Sequence, residues 1–296
     1  LKTSAGAVTA GYVVGYDVDS NVTSRSVTLP GNSGAGANSY GYDNAGRLTS
    51  WTKPGGVTVG YGYDNAGNLI SNAGVAQTFD QRNRMLTSGT NSYTWAARGV
   101  LATQTAGAAA PVTVTFDGLD RLTGQGAQVY GYDSLDRVVS QGGTAFGYAG
   151  VEIDPARVGT TLLSHTSGGQ LLATKTGAAA ATLTGLDHHG DVIALYTGAG
   201  TVSGTRTYTP LGAVVATGGT YASPVGFQAD YTDPATADVW MGARWYRPGT
   251  GGFTSRDTVF GQLSTPVSLN RYTYAWADPL GMFDPDGREA HAATGL

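Results

Sequence analysis

The ten residues GYDNAGRLTS at 41–50 return almost unchanged as GYDNAGNLIS at 62–71. Related phrases place an aromatic–acid pair, or a worn form of it, at Tyr16-Asp17, Tyr42-Asp43, Tyr63-Asp64, Phe79-Asp80, Trp95-Ala96, Phe116-Asp117, Tyr132-Asp133 and Tyr148-Ala149. From the second pair onward the steps are 21, 16, 16, 21, 16 and 16 residues. Such a period holds two strands of about five or six residues and their turns. No helical periodicity accompanies it. The aromatic is expected to end one strand and pack inward, and Asp to accept backbone N–H groups in the turn. Gly46 and Gly67 suit a left-handed turn position. Arg47 and Leu48 then open the return strand. Units like these cannot bury their faces alone and must stack on neighbours. Eight copies of a phrase argue for scaffold, because one site of chemistry does not need eight.

Composition agrees. The 296 residues include 46 Gly, roughly twice the usual share, and only 13% are charged, about half the usual share. Cysteine is absent, so disulfides and thiol chemistry are excluded. The net charge of −4 comes with no basic stripe, which speaks against a nucleic-acid partner. No apolar run reaches the ~18 residues of a membrane helix. The chain begins at Leu1 without a signal peptide and reads as a piece of something longer.

The phrase resembles the YD repeat of RHS (rearrangement hot spot) proteins. This group spans polymorphic bacterial toxins, C components of insecticidal toxin complexes, wall-associated proteins and teneurins. The resemblance implies an all-β spiral of strand-turn-strand units forming part of a hollow shell. We divide the chain into a repeat spiral at 1–150, a β-rich continuation at 151–224 and an RHS-associated core at 225–296. Ala106 to Pro111 reads as a loop tip, and in the continuation GAAAATLTG at 177–185 reads as a hairpin loop. His188 and His189 in the phrase DHHG do not suggest metal: neighbours on a strand face opposite ways and no close third ligand accompanies them. The core is marked by ARWYRPGTGGFTSRD at 243–257, NRYTYAWADP at 270–279 and DPDG at 284–287.

Asp-Pro and Asp-Gly are turn formers first. Two carboxyls in one shielded site are also the aspartic-protease arrangement, in which one proton is shared. The resemblance implies that Asp257 and Asp284 form such a pair, with Arg256 as supporting cation, and cut the chain after DPxG near Arg288. Asp278 and Asp286 are alternative second carboxylates. Arg288 stands where the family commonly has Leu. The chain runs nine residues past Gly287 without a toxin domain and so reads as uncut there, or cut later.

The implied partners are the protein's own C-terminal toxin cargo and secretion or toxin-complex components. The implied setting is secreted or cell-surface, and no cofactor or metal is called for. Three functions compete. A self-cleaving toxin shell is favoured by the core motifs. A non-catalytic adhesion scaffold for carbohydrate or protein would be favoured by exposed aromatics. A propeller hydrolase is disfavoured, because 16 to 21 residues are too few for blades of ~40. An incomplete shell lacking N-terminal repeats is expected, with an open sheet edge, and with 278–296 turned inward.

Overall fold

The structure, a computed structural model, describes residues 9–293. A 22-stranded antiparallel sheet runs from Gly11–Tyr16 to Val214–Gly219, each strand pairing with its neighbours in sequence. One repeat shows how the letters build it. Gly36–Tyr42 pairs with Leu48–Thr52 in the register Tyr40↔Trp51, Gly41↔Ser50 and Tyr42↔Leu48. The register shifts at Gly41/Tyr42, so Leu48 and Trp51, three residues apart, are both buried. In the turn, Asp43 N–H donates to Arg47 O and Gly46 N–H to Asp43 O, each at 3.0 Å. Asp43 Oδ1 accepts from Ala45 N (2.9 Å) and Arg47 N (3.0 Å), and Oδ2 from Arg47 Nε (2.7 Å). Gly46 and Gly67 are left-handed, with φ of 74° and 78°. At Asn83, Asp120 and Asp136 the same position is filled by the two side-chain types that best tolerate it.

The inward aromatics differ from the sequence expectation. Full burial falls instead on the residue two positions before the aromatic of the pair, as at Tyr40, Tyr61, Tyr93, Tyr130 and Phe146. The pair's own aromatics are partly buried against the core, and Tyr16 is half exposed. Their outer faces are covered by an Arg of the preceding repeat: Arg47 over Tyr63, Arg121 over Tyr132, Arg137 over Tyr148. The rows of Tyr and Trp are therefore wall, which removes the observation that would have favoured an adhesion platform.

The phrase fades after residue 150, but the turn does not. Thr166, Thr197 and Thr209 each take Asp's place, their Oγ1 accepting the N–H of Gln170, Thr201 and Ala213. Gly169, Gly200 and Gly212 hold the left-handed position. A threonine hydroxyl satisfies the same backbone donor more weakly than a carboxylate. Asp187 repeats the original form, accepting from His189 N and Asp191 N at 3.0 Å each. The hairpin loop expected at 177–185 is shorter: 177–181 joins Leu171–Thr176 to Thr182–Leu186, and 182–185 belong to the second strand.

The sheet curls until its beginning lies on its end. Arg25 pairs with Asp187 at 2.8 Å, and Asn32 Nδ2 reaches Thr205 Oγ1 and Ala216 O at 3.3 Å. Val27 and Leu29 pack on Ile193 and Tyr196. Among the described residues no strand ladder crosses this seam; the two end strands keep one ladder each. Residues 225–293 fill the interior. Trp240 and Trp245 join wall residues Tyr93, Leu101, Tyr130 and Val138 in the main core. Polar side chains tie them down, among them Tyr130 and Gln141 on Asp233 and Asn270 on Asn68.

The repeat turns make a testable contribution to stability. Partial burial pushes the Asp80 carboxyl up, but Arg84 and two backbone N–H groups outweigh it and hold the pKa below the ordinary value. Its stabilisation is thus present above the unfolded carboxylate pKa and is lost as pH falls below it. Asp80→Ala is expected to cost about 1–2 kcal/mol at pH 7, from three lost hydrogen bonds at a partly solvated turn. Urea denaturation should show the gap narrowing toward pH 3.

Candidate active site

The short strands of the interior segment deliver three charged side chains to one point. Val239–Met241 and Arg244–Arg247 form a hairpin with Gly242 left-handed in its turn. Arg244 points inward with its guanidinium 3.6 Å from the Phe253 ring centroid. Asp257 follows the strand Gly252–Phe253. The wall holds this stretch through Leu101 N–H to Thr254 O and Arg256 N–H to Gly99 O, at 2.9 and 3.1 Å. Asp257 N–H donates to Arg271 O at 3.0 Å, and Arg271 returns a guanidinium bond to Asp257 O. Asp284 follows Met282–Phe283, which pairs with His291–Ala292.

One nitrogen, Arg244 Nη2, lies 2.9 Å from Asp257 Oδ2 and 2.9 Å from Asp284 Oδ2. All three side chains are buried. Arg244 Nη1 donates to Arg271 O at 3.1 Å, and Nε donates to Gly287 O. The next amide is held as well: Arg288 N–H donates to Asp284 Oδ1 (2.9 Å) and Asp286 Oδ1 (3.0 Å). Ala243 N–H fixes Asp286 O at 2.9 Å. The Gly287–Arg288 peptide is thus gripped at its carbonyl by a guanidinium and at its N–H by a carboxyl. A cleft lined by Arg244, Asp257, Phe260, Trp276, Asp284 and Arg288 opens beside it.

Burial raises the Asp284 pKa to about 6; Asp286 and Asp257 add to the rise and Arg244 opposes it. Burial also raises Asp257, again against Arg244. A carboxyl that keeps its proton to about pH 6, a second carboxyl on the same guanidinium and a fixed peptide can perform acid–base attack of water on an amide.

The expected constellation needs one correction. Arg256 touches neither carboxylate; it is exposed while Asp257 is buried, as neighbours in an extended segment face opposite ways. The cation between the carboxyls is Arg244. Its signal in the sequence was a single charge inside the apolar run VWMGARWY at 239–246, where a buried Arg demands a partner. Asp278 is a turn cap, accepting Gly281 N–H at 3.1 Å. Asp286 lies at the edge of the site through Arg288 N–H. His188 and His189 also depart from expectation. They sit in a turn closed by left-handed Gly190 rather than on a strand, and both are buried. Among the described residues no group of three or more His, Cys, Asp or Glu side chains is disposed to hold a metal.

Fold and site define a repeat-built β wall wrapped around its own C-terminal segment. The chain belongs to the teneurin YD-shell family, whose profile matches residues 11–280. No curated protein matches it. Two solved structures share the fold. One is the Tc holotoxin pore of Photorhabdus luminescens with a substitution in its TccC3 component. Its TM-score is 0.62 at 15% identity, over 99% of this chain and 18% of that one. The other is TcdB2–TccC3 without its hypervariable C-terminal region, at TM-score 0.53 and 14% identity, over 97% and 17%. The chain therefore spans less than a fifth of the length of either.

Proposed function

We propose that this chain is part of a toxin-enclosing shell that cuts its own polypeptide between Gly287 and Arg288 as an intramolecular aspartyl peptidase. The observation that carries the reading is Arg244 binding both carboxylates while its Nε holds the carbonyl of the next peptide. Asp257 serves as base toward a water that adds to the Gly287 carbonyl carbon. Arg244 Nε–H stabilises the oxygen as it gains charge. As the Arg288 nitrogen pyramidalises it takes a proton from Asp284, and the C–N bond breaks to leave a Gly287 carboxylate and an Arg288 amine. The tethered peptide is present at high effective concentration, so modest intrinsic power suffices. The cargo is the polypeptide beyond the cut. The similar structures are named as toxin-complex assemblies, and a secreted or cell-surface setting with such components is the corresponding proposal here.

The test extends the chain past Leu296 by a neutral reporter and reads intact mass and the new N-terminus at neutral pH. The parent is expected to yield a fragment beginning at Arg288, and Asp257→Asn and Asp284→Asn to stay whole. An uncut parent, or cutting in both variants, overturns the reading. Because the protonated form of Asp284 is the donor and its pKa is about 6, the rate should fall about tenfold per pH unit above that value.

A further inference from the structure

The Asp187 turn of the wall touches the arm that carries Asp284, 92 and 93 residues away in sequence. His188 Nε2 lies 3.2 Å from Leu280 O, and His189 Nε2 lies 3.1 Å from Met282 O. Leu280 lies in the turn that Asp278 caps, Met282 opens the short strand after it, and Asp284 comes two residues later. On its other side His189 Nδ1 lies 3.1 Å from Asp191 Oδ1. A carboxylate and a carbonyl are both acceptors, so His189 satisfies the two contacts together only with a proton on each nitrogen. Its Nε2 is also 3.2 Å from Tyr274 Oη. When His189 is neutral and keeps its Nδ1 proton, Tyr274 O–H donates to Nε2 instead. A nitrogen lone pair then faces Met282 O.

We propose that His188 and His189 are positioning residues that latch the Asp284 arm onto the wall, and that deprotonation of His189 releases the Met282 half of the latch. The proposal rests on the self-cleaving reading for its purpose but not for its geometry. The charged groups around His189 come from several elements. Asp191 and Asp187 lie on its own turn with neutral-leaning His188, whose pKa burial pushes down to about 4. Arg25 comes from the first strands and Asp278 from the arm, while Asp154 and Asp230 lie across the cavity that His189 lines. Burial opposes the charge on His189, but Asp191 and Asp187 outweigh it and keep its pKa above the ordinary histidine value. The latch is therefore complete below that raised pKa and loses its Met282 half as pH rises through it.

The experiment is amide hydrogen exchange across pH on the full chain carrying Asp257→Asn, which keeps the arm uncut. Corrected for intrinsic rates, protection of 280–288 should drop about tenfold through one titration step, as for one lost hydrogen bond. Wall strand Asn91–Trp95 should show no step. His189→Gln should flatten the step. Flat protection in the parent, or the same step in His189→Gln, overturns the latch. If His189→Gln does not fold, the direction of the parent's step decides: a drop in protection as pH rises supports the latch, whereas ionisation of Asp284 strengthens its bond from Arg288 N–H, so a rise in its place overturns it. In the reporter-extended chain, His189→Gln should slow cutting at least tenfold with Asp257 intact; cutting at the parental rate overturns the positioning role. A parent that is never cut refutes the peptidase reading instead, while the exchange step still decides the latch.

Discussion

Replacing Arg244 with Met is expected to cost about 3–5 kcal/mol and to abolish cutting. The reason is what remains. Asp257 and Asp284 are both buried and share one guanidinium nitrogen. Breaking a buried ion pair from one side leaves charge without a partner, which costs more than the pair contributed. Here the survivors also repel each other, and Arg271 O and Gly287 O lose their donors. In a chain of this size the loss corresponds to a fall of about 5–8 °C in melting temperature. Without Arg244 the two carboxyls hold their protons more tightly in the folded state than in the unfolded one. A raised folded pKa gives stability at low pH, so the deficit should be largest at pH 7 and shrink toward pH 5. Arg244→Lys should recover part of the stability and little of the cutting. An ammonium supplies charge but cannot span two carboxylates and two carbonyls as the planar fork does. A deficit that is independent of pH would count against carboxylate repulsion as its cause.

Gly287→Ala should lower the cutting rate at least about a hundredfold. Gly287 is left-handed at φ 70°, and a Cβ there would sit 2.1 Å from Met241 O and 2.9 Å from Arg244 N. Both are backbone atoms of a paired hairpin and cannot step aside. The 286–288 segment must lift away, breaking Ala243 N–H to Asp286 O and Arg244 Nε to Gly287 O. Gly56→Ala is the control. It is left-handed too, at φ 87°, but has open space around it, so it carries only the backbone penalty of about 1–2 kcal/mol. Cutting in Gly56→Ala should match the parent. Mass spectrometry over time reads all three, and parental cutting in Gly287→Ala would show that the peptide need not be docked this closely.

What the sequence made legible was local. The Asp43 and Asp64 turns, with Gly46 and Gly67 left-handed, arise from residues four apart. So does the pairing of each strand with the next. Asp257 and Asp284 came from the resemblance, and the structure brings them to one guanidinium. The wall beyond residue 150 was harder to read, because Thr166, Thr197 and Thr209 keep the turn's hydrogen bond while changing its letter. Arg244 was missed in favour of Arg256 because adjacency in sequence suggested a partnership that an extended chain forbids. The seam and the histidine latch depend on how far the sheet curls, which summed twist decides and no short window contains.

The sheet's pairing by sequence neighbours sets an order in time. Each ladder closes as soon as its second strand exists, with little loop entropy to overcome. A ribosome delivering this chain would release a wall that zips from its first strand, well before residue 257 appears. The two halves of the proposed cutting site come last and meet only where Gly99, Leu101, Asn68 and the Asp187 turn have been set in place to receive them. The proposed self-cutting at Gly287 would then act as a completion signal: the bond becomes cleavable only once the wall that positions it has formed.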